Sequence, residues 1–79
     1  MRIVRELVKD GIRISVFSWN NKYLLKFEVG MVEQTFKVNE LDLDSEKDID
    51  FFFEGDFWEG IKKRSDEMHH MLRNQLENM

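Results

Sequence analysis

Between Gly11 and Val38 apolar and polar side chains alternate, and tight-turn dipeptides interrupt the alternation at regular intervals. The pattern predicts three antiparallel strands: Ile12 to Trp19, Lys22 to Val29 and Val32 to Val38. Two-residue hairpin loops need positive backbone angles, which Asn and Gly tolerate best. Asn20-Asn21 suits a type I′ turn, and Gly30-Met31, with Gly first, suits type II′. These turns set the register. Val16 falls opposite Leu25, Ile14 opposite Phe27 and Ile12 opposite Val29. Leu25 then meets Phe36, and Tyr23 meets Val38. All these side chains share one face. Ile3 to Lys9 is predicted as a first strand, turning at Asp10-Gly11. Leu7 then lies opposite Ile14, with Ile3 on the same side. Arg5 and Lys9 fall opposite Val16 and Ile12, which an edge strand tolerates when long stems carry the charge to water.

The period changes after residue 38. Ser45 followed by Asp48 predicts a short helical turn near 45–53. At least two rings of Phe51-Phe52-Phe53 are expected to plug the end of the core. Asp56 reads as an N-cap, with Glu59 three residues on. Phe57, Ile61, Ser65, Met68, Leu72 and Met79 then form a helical stripe, flanked by Trp58 and Leu76 on one side and Met71 on the other. Lys62–Asp66 and Lys63–Glu67 pairs are expected on the exposed side. A helix over 56–77 is about 33 Å long at 1.5 Å per residue. The strands reach about 26 Å at 3.3 Å per residue. The helix should therefore overhang, leaving Leu72, Leu76 and Met79 for a second subunit. The expected fold is α+β: a four-stranded antiparallel meander with one long C-terminal helix packed on the face of Ile14, Val16, Leu25, Phe27 and Phe36. The organisation is a single domain over 1–79, with the meander at 1–38, an acidic connector at 39–55 and the helix at 56–79.

With 79 residues, such a domain hides only about 60% of its unfolded surface, and marginal monomers of this size often dimerise. The absence of cysteine excludes disulfides and thiolate metal sites and fits a reducing cytoplasm. No apolar run has the length of a signal peptide core or a membrane span, so a cytoplasmic protein without membrane association is expected. The net charge of −4 is unevenly spread. Seven basic against four acidic side chains leave residues 1–38 at +3, and five against twelve leave residues 39–79 at −7. Either the two halves attract each other, or the basic sheet meets an anion.

The histidines do not form a metal site. Adjacent helical positions point about 100° apart, so His69 and His70 cannot readily share an ion, and Asp66 with His70 offers two ligands at most. Asp42, Asp44, Glu46, Asp48 and Asp50 alternate like a calcium loop, but Lys47 and Phe53 stand where Gly and Glu are required. The serines sit in no nucleophile elbow, and the glycines form no phosphate loop. No enzyme activity, metal or cofactor is expected.

The sheet face opposite the helix carries the functional signal. Val4, Phe17 and Leu24 are expected in one cross-strand row ending at Lys37, with Trp19 one step along between Arg2 and Lys22, and Lys26 nearby. Arg13 faces Glu28, which also faces Glu33. Adjacent Phe, Trp and Leu on an open sheet face suggest a covered patch. Such composition suits a homodimer interface or another protein partner. The second reading is single-stranded nucleic acid, with bases stacked on the aromatics and phosphates held by the lysines. A third is a small-ligand pocket beside Phe51 to Phe53.

The run Asp10-Gly11-Ile12-Arg13-Ile14-Ser15-Val16-Phe17-Ser18-Trp19-Asn20-Asn21-Lys22-Tyr23-Leu24-Leu25-Lys26-Phe27-Glu28 resembles a small uncharacterised bacterial family, as does Val32-Glu33-Gln34-Thr35-Phe36-Lys37-Val38. The resemblance implies four strands plus a C-terminal helix and carries no functional residues. The element order is also similar, in topology alone, to single-strand-binding domains of the Whirly and Pur-alpha type.

Overall fold

The computed structural model describes residues 1–79. Strands β1 (Arg2–Lys9), β2 (Ile12–Trp19), β3 (Lys22–Val29) and β4 (Val32–Asn39) form one antiparallel sheet in the order β1-β2-β3-β4. Two short 3-10 segments follow, Glu40–Asp42 and Glu46–Phe53, and then helix α1 (Gly55–Glu77). The fold is the α+β meander and helix that the alternation predicts.

Turn chemistry works as expected. Asp10 and Gly11 take φ of 52° and 78°, and Asn20 and Asn21 take 55° and 63°, the pairs of positive angles a type I′ turn needs. In the third turn Gly30 alone is positive, as in type II′. The register follows: Ile14 pairs with Phe27, Val16 with Leu25, Leu25 with Phe36 and Tyr23 with Val38.

One strand departs from simple alternation. Ile3 pairs with Phe17 and Arg5 with Val16, so Val4 has no partner across β2 and forms a bulge. The extra residue reverses the phase of the first three positions. Val4 packs against the core, and Ile3 moves to the outer face. Both expected placements are thus exchanged. Arg2 also shifts, pairing with Ser18 instead of standing beside Trp19.

The core lies between the inner sheet face, the second 3-10 segment and the first half of α1. Ile14, Val16, Leu25, Phe27 and Ile49 are fully buried. Burying each such side chain is worth about 1.5–3 kcal/mol. Phe27 is the centre: the rings of Phe36, Phe53, Phe57 and Trp58 stand 6.0, 6.3, 6.1 and 6.1 Å from it. These edge and tilted contacts avoid face-to-face repulsion between ring quadrupoles.

The acidic connector covers the inner side of β1. In the second 3-10 segment Ile49 and Phe53 are buried, Phe52 is half-buried and Phe51 points to solvent, so two of the three rings close the core. Arg2 meets Glu46 at 3.1 Å, Arg5 pairs with Asp50, and the Lys9 ammonium donates to the Phe53 carbonyl. The basic residues on the inner side of β1 are therefore the sites where the connector attaches. This favours mutual attraction of the two halves over an anion as the account of β1.

Helix α1 starts one residue before the expected Asp56. Gly55, at φ +66°, turns the chain from extended Glu54 directly into helix. Asp56 consequently lies in the first turn, not at the N-cap, where its charge still favours the helix dipole. The expected Lys62–Asp66 and Lys63–Glu67 ion pairs do not form. Lys62 turns instead toward Glu59 at 3.2 Å and Asp10 at 3.7 Å, on the side facing the β1–β2 turn.

Polar contacts of three side chains anchor the helix. The Trp58 indole donates to Asp10 at 3.0 Å. The buried Gln34 amide donates to the Ile61 carbonyl at 2.9 Å and to Ser65 Oγ at 3.0 Å. His69 Nε2 accepts from the Met31 backbone N–H at 3.3 Å while Nδ1 donates to the Ser65 carbonyl at 2.9 Å. Gly30 accommodates that last contact, since a Cβ there would lie 2.8 Å from His69 Nε2. Beyond Ser65 no helix residue is buried, and Met71, Leu76 and Met79 are exposed. The molecule measures 46 × 26 × 19 Å, its length set by a helix that outruns the sheet. No helix is long and apolar enough to cross a membrane.

Candidate functional site

The outer sheet face is built by strand parity. Odd positions of β2 and even positions of β3 point away from α1, and the β1 bulge brings Ile3 into phase with them. One row runs Ile3, Phe17, Leu24, Lys37. The next holds Trp19, Lys22 and Asn39. On the other side lie Glu6, Ser15, Lys26 and Thr35, followed by Val8, Arg13, Glu28 and Glu33.

The face is polarised. At one end stand Ile3, Phe17, Trp19 and Leu24 with Lys22, Lys26 and Lys37. None of these lysines takes part in an ion pair. The Lys26 ammonium sits 5.6 Å from the Phe17 ring, where the negative ring face attracts it. At the other end Glu28 and Glu33 oppose each other, and Thr35 Oγ1 donates to Glu33 at 3.2 Å. Arg13 is in register with Glu28 but forms no ion pair with it.

The structure therefore brings together Phe17, Trp19, Lys22, Leu24 and Lys37, five of the seven residues singled out in the sequence. It removes Val4, which the bulge turns inward, and Arg2, which the connector engages through Glu46. Ile3 takes Val4's place. Two adjacent apolar residues, Ile3 and Val4, make the strand phase ambiguous, so the pattern alone could not tell which of them faces out. Leu24 has a different role from the one expected. It is only 8% exposed, flanked in register by Phe17 and Lys37. It is nearly covered within its row, while Ile3 at 58% and Trp19 at 49% exposure offer the apolar surface.

The aromatic end of this face is flat, with no depression lined by Phe17, Trp19 or Leu24. A half-enclosed cleft of about 320 Å³ lies elsewhere, between β4 and α1, over Phe36, Phe57 and Arg64. No cavity touches Phe51, Phe52 or Phe53, which overturns the expected ligand pocket there. The space is filled: Phe53 packs 6.3 Å from Phe27 and Phe52 packs 5.2 Å from Phe57. No three metal-ligating side chains converge anywhere in the molecule.

Two ionisable groups are perturbed, both by structural contacts. The Trp58 indole bond holds the Asp10 carboxyl below its ordinary value, with Lys62 and Lys9 adding to the effect against some desolvation. Burial raises the Tyr23 hydroxyl, helped by Glu46 and Glu40 and opposed by Arg2.

No family model, curated protein or solved structure matches this chain. The resemblance noted above therefore rests on the quoted residues, and function must be argued from the face itself.

Proposed function

We propose that the protein is a non-enzymatic interaction module that works as a homodimer, with its outer sheet face as the contact surface. One observation carries this reading. Ile3 and Trp19 stand exposed beside Phe17 on a flat face, bordered by three lysines without carboxylate partners. A flat aromatic patch with a charged rim has the composition of a protein interface and the wrong shape for a small-molecule site. A chain without cysteine is at home in a reducing compartment, and the proposal places it in the cytoplasm.

Sedimentation of the intact chain tests the proposal. The wild type should be a dimer, and Ile3→Asp with Trp19→Asp should give a folded monomer. These two positions are chosen over Leu24 because they are exposed in the single chain. A dimer that survives both substitutions, or a monomeric wild type, overturns the reading.

A second reading is favoured by the Lys26–Phe17 contact and the half-exposed Trp19, which together resemble a stacking platform flanked by phosphate-binding charges. A labelled single-stranded oligonucleotide should then bind with a log–log salt slope of about −2, the value for three lysines at about −0.7 each. Absence of binding at low salt eliminates this alternative.

A further inference from the structure

The two edges of the sheet are built differently. β1 carries the devices that keep an edge from pairing: a bulge at Val4, inward-pointing Arg5 and Lys9, and the connector folded over it. β4 carries none of these. It pairs with β3 in unbroken register along its whole length, and the chain has no proline to interrupt it. The two-residue turn at Gly30-Met31 makes Val29 and Val32 the closing hydrogen-bonded pair. Val32, Gln34, Phe36 and Val38 therefore direct their backbone groups to β3. Glu33, Thr35 and Lys37 direct theirs off the edge, and no group elsewhere in the chain bonds to them. We infer that β4 is a second self-association surface, to which β4 of another copy adds antiparallel with Thr35 on the two-fold axis. This goes beyond the outer-face reading and does not depend on it.

Charge selects the occupant and the register. Glu33 and Lys37 flank Thr35 symmetrically, both are exposed, and neither takes part in an ion pair. With Thr35 opposite Thr35, Glu33 of each copy stands directly across from Lys37 of the other. Glu33 thereby gains a cation on one side, where its own sheet sets Glu28 against it on the other. Other registers lose this match. An axis at Glu33 sets glutamate against glutamate, and an axis at Lys37 sets lysine against lysine. An axis at Gln34 or Phe36 leaves both ion pairs unformed. The Thr35 register also uses every free backbone group of the three residues, about six hydrogen bonds in all. The strand is thus complementary to itself, as a closed two-fold contact demands.

The inner face agrees. The axis is perpendicular to the sheet, so both helices stay on one side of a sheet doubled in width. The same register sets Phe36 of each copy beside Gln34 of the other. Both residues line the cleft between β4 and α1, so the added strand borders that cleft and adds cover to half-buried Phe36. An outer-face dimer has its axis in the sheet plane and is centred on other side chains, so both contacts can form in one assembly. Edge hydrogen bonds replace bonds to water, and exposed charge pairs are individually weak. The edge therefore joins outer-face dimers only as protein concentration rises.

The test uses the full chain carrying Ile3→Asp and Trp19→Asp, which removes the outer-face contact. Sedimentation of this variant at rising concentration should show a monomer–dimer equilibrium. Adding Glu33→Lys, or Lys37→Glu, should weaken it at least about tenfold, because two attractive pairs become repulsive. Mixing those two charge variants should restore the dimer, as should both changes in one chain. All these positions are exposed, so the fold should be kept. The chain lacks cysteine, so introduced thiols are unique. Thr35→Cys in the same background should oxidise to a disulfide dimer, since hydrogen-bonded partners lie about 5.5 Å apart at Cα. Ser15→Cys, two strands inward on the same face, should not. A background variant that stays monomeric, a dimer indifferent to the charges at 33 and 37, or a mixture that fails to recover overturns the inference. Cross-linking through Ser15→Cys instead of Thr35→Cys means face against face and also overturns it. The outer-face reading is judged separately, by whether Ile3 and Trp19 hold the dimer in dilute solution.

Discussion

Leu24 and Ile3 show how little a residue's type says about its exposure. Leu24 sits on the solvent side of the sheet and is nearly hidden by its row neighbours, whereas Ile3 is open because one bulged residue precedes the regular pairing. Asp10 is another residue whose role comes from distant neighbours. Local chemistry explains its positive φ in a hairpin turn, but its carboxylate also receives the Trp58 indole and faces Lys62, residues about fifty positions away in the chain. These contacts lower its folded pKa below the ordinary 3.8. A lowered carboxyl contributes stability that is fully present above the unfolded value and is lost as pH falls through the folded one. Unfolding midpoints measured from neutral to strongly acid pH should therefore drop below about pH 4. The Asp10→Asn variant should be less stable at pH 7 and show a shallower acid loss.

At the scale of elements, the strands were legible because each signal agreed with the others: alternation, turn residues and the resulting apolar face. The bulge in β1 was not legible, since a sequence with apolar residues at both 3 and 4 fits either phase. The 3-10 connector was legible as a helical turn through Ser45, although capping is shared: Ser45 Oγ accepts from Lys47 N–H, and Asp48 accepts from Asp44 N–H. Helix docking depends on Gln34, a buried amide in β4 that donates twice to α1. Alternation placed Gln34 on the inner face, but its partners are set by tertiary packing. Gln34→Leu should destabilise the fold by about 1–2 kcal/mol in urea unfolding, because Ser65 Oγ is left buried without its partner. Ser65→Ala in the same background should then cost little more, as expected for groups in one network.

For the whole molecule, the mismatch between helix and sheet length is the dominant feature. The core is closed by Trp58, Ile61 and Ser65, and beyond them Met68 and Leu72 are only half-buried while Leu76 and Met79 are exposed. Hydrogen exchange reads this directly. In dilute solution, amides after His69 should exchange fast while those of β2 and β3 remain protected. Equal protection before and after His69 would show that the projecting half of the helix is held as firmly as the docked half. The sequence by itself determined the strands, the turns, the register and the helical stripe, because these depend on residue type and period over a few neighbouring positions. Tertiary structure alone decided the Val4–Ile3 exchange, the attachment of Arg2, Arg5 and Lys9 to the connector, and the burial of Leu24. Each depends on which distant groups meet when the connector folds over β1 and the sheet twists into place, and no local period encodes that.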